Sequence, residues 1–313
     1  MAVKAARDRL LAERQIRQPN MVLPTSAHAA FAKAGAYFGV EVRRVAVGPD
    51  WRADVAAMRN CVDENTVLIV GSAPQYPQGV VDDIVSIAKI ASDAQINCHV
   101  DACMGGVTLA YLERLGEKIA PWNLQVPGVS SISVDLHKFG YTSKGASVIM
   151  YASKHLRSYQ GFVTTDWLGG MYGSSGVLGT KSGGSMASAW AVMHFLGDDG
   201  YLRLTRQARE ATLQLASIIR NSPELVLRAE PESTLLCFGA QDPNSLNVFA
   251  VADELSKRGW YVDRQTPPDS LHCTVNAIHH DKIEWFAKDL RNSVETVLSQ
   301  RSTGNVGAYG TVE

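Results

Sequence analysis

The sequence has little of what several classes of protein require. Its five cysteines are an odd number without a Cys-x-x-Cys pair, so reduced, buried thiols are favoured over a disulfide framework. No uninterrupted apolar run reaches the roughly 18 residues of a membrane span. The net charge of -1 provides no overall field for nucleic acid or an anionic membrane. We therefore expect a small-molecule partner, no nucleic acid and no transmembrane segment.

The sequence also gives no support for a nucleoside triphosphate site, a secretory signal or a metal site. Without a Gly-x-x-x-x-Gly-Lys loop, a nucleoside triphosphate site has no support. Residues 1–8 lack the apolar stretch of a secretory signal, so a cytoplasmic location is expected. Cys98, His99, Asp101 and Cys103 resemble a set of metal ligands, but alternate side chains of an extended segment face opposite ways. His99 and Asp101 then share a face that Cys98 does not, and we expect no metal site.

What the chain does contain is a repeated alternation of strands and helices. The runs Thr66 to Val70 and Ile96 to Val100 predict buried strands, with a helix at Asp82 to Ala94 between them. Such alternation indicates an α/β fold with a mostly parallel sheet. Because single cores stop growing at about 250 to 300 residues, we expect a large domain at residues 1–198 and a smaller α+β domain at 199–298.

Other stretches have a weaker pattern. Ser153 to Ser185 is rich in Gly, Tyr and Trp, which predicts a long functional loop without regular elements. Separate helices are predicted at Ser185 to Phe195 and Gly200 to Arg220, and a strand at Trp260 to Val262. Residues 299–313 contain few large apolar side chains, so a flexible tail is expected.

The segment at residues 129–145 carries the clearest chemical signal. An apolar strand runs into a polar group that contains Asp135, His137 and two lysines, and glycines then turn the chain into a second apolar strand. A lysine that is partly buried at a strand end loses protonation, because burial disfavours the charged form. A neutral amine can form a Schiff base with a carbonyl. Lys138 is our candidate for this reactive amine.

Pyridoxal phosphate requires an amine, a carboxylate for its ring nitrogen, a flat side chain against the ring, and donors for its phosphate. Lys138, Asp101 and His28 can supply the first three. Each also has an ordinary explanation: Asp101 as a helix cap, His28 as a hydrogen-bonding residue of a turn, and Lys138 as a solvated loop cation. Parallel sheets bind ligands beyond the carboxyl ends of their strands, where His28, Ala73, Asp101 and Lys138 all fall. Their joint placement favours a site.

The segment from Asp135 to Gly145, which reads Asp-Leu-His-Lys-Phe-Gly-Tyr-Thr-Ser-Lys-Gly, resembles the cofactor-lysine segment of sphingosine-1-phosphate lyases. These enzymes belong to the fold-type-I, pyridoxal-phosphate-dependent relatives of the group II decarboxylases. Supporting matches lie at Pro24 to Lys33, Pro74 to Gly79, His99 to Gly106, Thr165 to Gly170 and Pro267 to Cys273. The resemblance implies a fold-type-I large domain and pyridoxal 5'-phosphate as cofactor.

The resemblance also implies a role for individual residues. Lys138 corresponds to the Schiff-base lysine, Asp101 to the partner of the pyridinium nitrogen, and His28 to the histidine that stacks on the ring. His137 corresponds to a ligand of the cofactor phosphate, and Ala73 lies in a cofactor-binding loop. The catalytic set implied is Lys138, Asp101 and a second lysine that assists proton transfer or substrate binding, at Lys144.

Two further features come from the same family pattern. In the lyases a Gly-Ser-Arg-Pro-Gly loop gives its serine hydroxyl to the cofactor phosphate of the neighbouring subunit. Here Thr180 keeps the hydroxyl, while Lys181 replaces the arginine and its bidentate fork. This implies a homodimer with a shared active site. The family's Gly-Thr-Glu-Ser segment is missing before the helix that begins at Met1, so the chain is expected to be truncated at its N-terminus.

The function implied is a carbon–carbon lyase. It would cleave a phosphorylated sphingoid base, a phosphorylated amino alcohol, in a retro-aldol step that yields a fatty aldehyde and phosphoethanolamine. An amino-acid decarboxylase of the same group is the first alternative, because it shares the cofactor residues. A catalytically incompetent fragment, or one half of a two-chain enzyme, is the second alternative.

Overall fold

A computed structural model describes residues 1–14, 16–304 and 306 of the chain. These residues form two compact units. The first contains residues 1–76, 81–110 and 118–197, and the second contains 77–80, 111–117 and the chain from Asp198 onward. Most of the flexible tail expected at 299–313 lies outside the described residues, and α9 extends into its first two positions.

The helices and strands follow one another along the chain as α1 (Ala2–Glu13), β1 (Asn20–Pro24), α2 (Ala30–Phe38), β2 (Glu41–Val45), α3 (Val55–Cys61), β3 (Thr66–Ser72), α4 (Ile84–Ala94), β4 (Asn97–Asp101), α5 (Gly105–Arg114), β5 (Ser131–Asp135), β6 (Ser147–Tyr151), α6 (Lys154–Ser158), β7 (Phe162–Thr164), β8 (Tyr172–Ser174), α7 (Gly183–Arg220), β9 (Leu225–Leu227), β10 (Leu235–Ala240), α8 (Val248–Lys257), β11 (Asp263–Gln265), β12 (Ser270–Thr274) and α9 (Ile283–Gln300). A 3-10 helix at Ala277–Lys282 precedes α9.

The first unit is built on a six-stranded sheet in the order β2-β1-β3-β4-β5-β6. Strands β1 to β5 pair in parallel and β6 pairs antiparallel to β5, so the predicted mostly parallel sheet is confirmed. Every residue of β3 is buried, as expected of a central strand with both faces covered. Asp54 and Asp83 begin α3 and α4 by accepting hydrogen bonds from backbone N–H groups of the first turn.

The parallel order brings the carboxyl ends of β1, β3, β4 and β5 to one edge of the sheet. Helix α5 comes close to this edge because Gly105 has no side chain. A Cβ atom there would lie 2.1 Å from the carbonyl oxygen of Ala73, well inside van der Waals contact, so only glycine fits. The close approach fixes the start of α5 against the loop that follows β3.

The prediction for the glycine-rich stretch at Ser153 to Ser185 is wrong in one respect. It contains α6 and a two-stranded antiparallel ribbon, β7 with β8, in which Val163 faces Gly173. Strands of three residues are too short to produce a recognisable two-residue period. Two helices were expected next, and α7 is indeed interrupted at Gly197, where φ is 55° and ψ is -171°.

The second unit is an α+β arrangement on an antiparallel sheet in the order β11-β12-β10-β9. Its core contains Phe238 of β10, Leu271 of β12, Leu255 of α8 and Leu290 of α9. The strand predicted at Trp260 to Val262 is wrong, because β11 begins only at Asp263. The polar triplet of β11 gave no apolar pattern from which a strand could be predicted.

Replacing Phe238 by alanine is expected to lower the free energy of unfolding by about 3 to 5 kcal/mol, because the ring is fully buried and its removal leaves a cavity. Urea unfolding followed by circular dichroism measures the change. Trp285→Ala provides a matched control, since this aromatic residue of the same unit is 66% exposed. A loss at Trp285 equal to that at Phe238 would contradict the assignment of this core.

No helix in the described part of the chain combines the length and the apolar character needed to cross a membrane.

Candidate active site

A cavity of about 470 Å³ lies in the first unit at the carboxyl edge of the parallel sheet. Its lining includes His28, Asp101 and Lys138, which come from the ends of three different strands. The sequence predicted that these side chains act together, and the fold brings them to one cavity. His99 also lines it, as expected if His99 and Asp101 share a face of β4.

Lys138 follows β5 by three residues, and its Nζ lies 3.0 Å from Oδ2 of Asp135. Burial acts to lower the pKa of Lys138, but the negative charge of Asp135, with smaller effects from Cys103 and Asp101, raises it above the ordinary value. The expectation that this lysine loses its proton is therefore corrected. Burial does act on the amine as predicted, but the neighbouring carboxylate outweighs it.

Asp135 is held in turn by the adjacent strand. The hydroxyl of Ser147, the first residue of β6, donates a hydrogen bond of 2.5 Å to Oδ1 of Asp135. Burial acts to raise the pKa of Asp135, yet this hydrogen bond and the charge of Lys138 lower it below the ordinary range. Lys138 and Asp135 therefore form an ion pair in the lining of the cavity, and the amine of Lys138 is held in its protonated form.

Asp101 is the last residue of β4. Its Oδ1 accepts a hydrogen bond from the hydroxyl of Ser133 at 3.3 Å and another from the backbone N–H of Cys103 at 3.1 Å. The second bond is a local turn bond of the capping type that the sequence left open as an alternative. Both bonds end on Oδ1, so neither of them uses Oδ2 of Asp101, and the side chain of Cys103 also hydrogen-bonds to this carboxylate.

His28 lies in the turn between β1 and α2. The backbone N–H of Ala30 donates a hydrogen bond of 3.1 Å to Nδ1 of His28, which fixes the ring orientation. The hydrogen bond within the turn, which the sequence analysis gave as the alternative to a role in the site, is therefore present, and His28 also lines the cavity. The two roles are compatible, because this hydrogen bond uses the edge of the ring and stacking uses its face.

The other predicted site residues, Ala73, His137, Lys144 and Thr180, are not among the described residues that line the cavity. Ala73 lies beside Pro74, which does line it. His137 Nδ1 donates a hydrogen bond of 2.9 Å to the carbonyl oxygen of Ala146, and Lys144 and Thr180 are exposed. The roles assigned to these four residues stay predictions.

The fold also adds lining residues that the sequence analysis did not single out. They are Ser133 and Ser147 on the neighbouring strands, and Gln160 and Ser175 beside the β7–β8 ribbon. Lys181, which the family pattern named in place of an arginine, lines the cavity as well. For Ser133 a signal existed. Serines at positions 131 and 133 of β5 alternate in step with His99 and Asp101 of β4, and polar residues at every second position of a buried strand indicate a polar surface. No local pattern indicated the residues around the ribbon.

Asp82 holds the end of β3 beside the cavity. Its two carboxylate oxygens accept hydrogen bonds of 2.8 Å from the backbone N–H groups of Ala53 and Ser72. Burial raises the pKa of Asp82 to about 6, against the effect of these donors and of the charge of Arg52. The group therefore binds its proton more tightly in the folded chain than in the unfolded chain.

Stability is expected to depend on pH through Asp82. Because the folded-state pKa is raised, the stabilising contribution is fully present below about pH 4 and is lost as the pH rises through about 6. Asp82→Asn cannot titrate, so the free energy of unfolding of the wild type relative to this variant should fall by about 2 kcal/mol between pH 4 and pH 7. Urea titrations at each pH measure this difference. A constant difference, or an equal trend with the exposed Asp199→Asn, would contradict the assignment.

The donor set of the cavity fits pyridoxal phosphate. A lysine amine, a carboxylate and an imidazole ring line one space, and these groups match three of the four requirements of the cofactor. Among the described residues, no group of three or more His, Cys, Asp or Glu side chains is arranged to hold a metal ion.

Comparison with known proteins extends this result. Residues 2–241 match the family described as the pyridoxal-dependent decarboxylase conserved domain. A sphingosine-1-phosphate lyase of Arabidopsis thaliana is 39% identical over 297 residues, which are 95% of this chain and 54% of that protein. The chain thus spans about half the length of the curated relatives it matches.

Solved structures give the same picture. The structure of a sphingosine-1-phosphate lyase from Burkholderia pseudomallei K96243 matches with a TM-score of 0.90 and 37% identity, over 96% of this chain and 68% of that one. A glutamate decarboxylase of Lactobacillus brevis CGMCC 1306 matches with a TM-score of 0.82 and 20% identity, over 96% and 71% of the two chains. The second match concerns the fold alone.

These matches confirm the predicted resemblance to sphingosine-1-phosphate lyases, the fold-type-I architecture and, from the family, pyridoxal 5'-phosphate as the cofactor. The family match covers more than half of the chain, including the three predicted residues that meet in the cavity. The chain belongs to the pyridoxal-dependent decarboxylase family.

Proposed function

We propose that the chain provides the cofactor-binding and catalytic residues of a pyridoxal-phosphate-dependent carbon–carbon lyase. Its substrate is a phosphorylated sphingoid base, and the products are a fatty aldehyde and phosphoethanolamine. The observation that carries the proposal is the meeting of Lys138 and Asp101 in one cavity, in a chain 37–39% identical to two proteins named as sphingosine-1-phosphate lyases.

The three predicted residues that meet in the cavity each have a role in this reaction. Lys138 is the amine to which the cofactor would attach, and the negative charge of Asp101 would keep the proton on the cofactor's ring nitrogen. His28 places its ring face against the cofactor. When bound, the cofactor supplies an electron sink for the pair released as the carbon–carbon bond breaks. Lys138 must lose a proton before it reacts, and its ion pair with Asp135, 3.0 Å away, opposes that loss until the pair is disrupted.

The substrate phosphate requires cations near the cavity. Lys181 lines it from the loop that follows β8, and Lys144 is exposed between β5 and β6. A lysine binds phosphate as a point charge, without the two-pronged geometry of arginine. We assign Lys181 and Lys144 to recognition of the substrate phosphate, the hydroxyl of Thr180 to the cofactor phosphate of a neighbouring subunit, and His137 and the Ala73 loop to support of the cofactor.

Product analysis tests the proposed reaction. The purified chain, loaded with pyridoxal phosphate, is incubated with a phosphorylated sphingoid base, and aldehyde and phosphoethanolamine are measured by mass spectrometry. Release of carbon dioxide from amino acids, without aldehyde from the sphingoid base, would replace the lyase by the decarboxylase. The decarboxylase is kept as second candidate because the matched family carries that activity in its description. Absence of both products, with no cofactor bound, would favour the incompetent fragment or half-enzyme.

We further propose that the chain acts as a homodimer with a shared active site. A continuous stretch of the first unit carries many large apolar side chains that are exposed in the single chain, and we call it the apolar surface. It comprises Phe162, Val163, Trp167, Leu168, Met171, Val177, Leu178, Trp190, Met193 and Phe195. Exposed apolar residues in this number are typical of protein interfaces. The same stretch contains Gln160, Ser175 and Lys181 of the cavity, so a partner that covers it would lie beside the site.

Trp190→Glu is expected to shift the chain from dimer to monomer in sedimentation velocity, because a charge at the apolar surface would be buried without a partner. Tyr37→Glu is the matched control, since Tyr37 is an equally exposed aromatic residue on α2, outside the apolar surface. A wild-type chain that sediments as a monomer at all concentrations would contradict the homodimer. The cytoplasmic location stays a prediction.

A further inference from the structure

A chain of hydrogen bonds runs behind the candidate site, from β5 through β4 to Asp101. The two ring nitrogens of His99 each face a serine of β5: Nδ1 lies 2.8 Å from Oγ of Ser131, and Nε2 lies 3.1 Å from Oγ of Ser133. Ser133 in turn contacts Oδ1 of Asp101 at 3.3 Å. The parallel register that pairs His99 with Ser131 and Asp101 with Ser133 places all four side chains on one face of the sheet.

One set of donors and acceptors satisfies all of these groups together. A carboxylate can only accept, so Ser133 donates its single hydroxyl proton to Asp101. The thiol of Cys103 donates to Oγ of Ser133 at 3.3 Å, and burial raises the pKa of this thiol and keeps it protonated. When Ser133 donates to Asp101, its remaining lone pair accepts from Nε2–H of His99, and Nδ1 of His99 then accepts from Ser131.

The surroundings of His99 keep its ring neutral. The residue is 2% exposed, and its ring meets the ring of Phe31 edge-on at 5.8 Å. Burial lowers the pKa of His99 to about 4, although the charge of Asp101 acts in the opposite direction. A neutral imidazole carries one N–H, so its tautomer decides whether Asp101 receives the Ser133 hydroxyl.

We propose that His99 is a positioning residue. Its Nε2–H tautomer makes the hydroxyl of Ser133 donate to Oδ1 of Asp101. This bond orients Asp101 so that Oδ2 can face the ring nitrogen of a bound cofactor. In the other tautomer the hydroxyl of Ser133 would turn toward Nε2 of His99, and Asp101 would lose a donor and its fixed orientation. The hydrogen-bond chain is a property of the protein alone. Its consequence for cofactor binding rests on the proposed function.

Nuclear magnetic resonance of the ¹⁵N-labelled chain without cofactor tests the tautomer. Long-range ¹H–¹⁵N spectra of the imidazole groups should show His99 as a neutral ring protonated at Nε2, and in Ser133→Ala the signal should move toward the Nδ1–H form. The assignment comes from the signal that disappears in His99→Phe. An Nδ1–H form in the wild type, or a doubly protonated ring, would overturn the proposal.

Titration with pyridoxal phosphate, followed by its absorbance, tests the link to Asp101. His99→Phe and Ser133→Ala should each raise the Kd about tenfold, the equivalent of one hydrogen bond, and the double variant should be no weaker than either single variant. His99→Gln, which keeps an N–H near the position of Nε2, should restore the Kd to within about threefold. His272→Phe is the control, because His272 is also buried but belongs to β12 of the second unit.

The outcomes separate the two proposals. Additive losses in the double variant, an unchanged Kd in His99→Phe, or an equal loss in His272→Phe would show that His99 does not act through Ser133. A wild-type chain that binds no pyridoxal phosphate would refute the proposed function, and the tautomer spectra would then decide the role of His99 by themselves.

Discussion

Replacing Lys138 by alanine is expected to abolish covalent attachment of pyridoxal phosphate and to reduce the rate of lyase turnover by about 10³-fold or more. Lys138 is the one lysine that lines the cavity from a strand end, among the described residues. Its amine lies beside both Asp135 and Asp101. Absorbance of the bound cofactor and mass spectrometry after borohydride reduction measure attachment, and aldehyde release measures turnover.

Two variants control for charge and for the general effect of losing a lysine. Lys138→Arg keeps the positive charge beside Asp135 but cannot lose its proton at ordinary pH, so it should be as inactive as the alanine variant. Lys154→Ala removes an exposed lysine at the start of α6 and should leave attachment and rate unchanged. Reduced protein that carries the cofactor on another lysine in Lys138→Ala would show that Lys138 is not the attachment residue.

Replacing Asp101 by asparagine is expected to lower the turnover rate about 10²- to 10³-fold, with little change in the folded structure. The amide has the same shape, and its oxygen can still accept from Ser133 and from the N–H of Cys103. What it loses is the negative charge at Oδ2, which stabilises a proton on the cofactor ring as charge develops there. Turnover is measured by aldehyde release, and the fold is checked by urea unfolding.

A matched control distinguishes this charge from carboxylates in general. Asp166→Asn neutralises an exposed carboxylate of the loop between β7 and β8 and should change neither rate nor stability by more than the error. If Asp101→Asn turned over at the wild-type rate while Lys138→Ala was inactive, the cofactor would be held without an acidic partner, and the assignment of Asp101 would be wrong.

Much of the fold could be predicted because it follows from local patterns. The apolar runs that became β3 and β4, and the helical period of α4 between them, are short-range signals that burial on both faces produces. The β7–β8 ribbon and β11 were not predicted, because three-residue strands are too short to show a period. Gly197 interrupts α7 with a positive φ, and the prediction of two helices anticipated this break.

The part of the candidate site that lies at strand ends could be predicted, because strand ends can be located in the sequence. His28, Asp101 and Lys138 each follow a strand, and parallel order alone brings such positions to one edge. Their partners were harder to predict. Ser147 reaches Asp135 across an antiparallel pairing of β5 with β6, and Lys181 comes from a loop more than 40 positions beyond Lys138. Such contacts depend on strand register and on long connections, which cannot be read from a short stretch of the sequence.

The sequence by itself determined the alternating strands and helices of the parallel sheet, the segment around Lys138 and the chemistry that these residue types can perform. Only the tertiary structure decided the state in which those residues are held. Lys138 remains protonated because Asp135 is 3.0 Å away, and Asp101 is held through Oδ1 by the hydroxyl of Ser133 and the backbone N–H of Cys103. Protonation and hydrogen-bond direction depend on distances of a few ångströms between distant parts of the chain, which exist only once the sheet has formed.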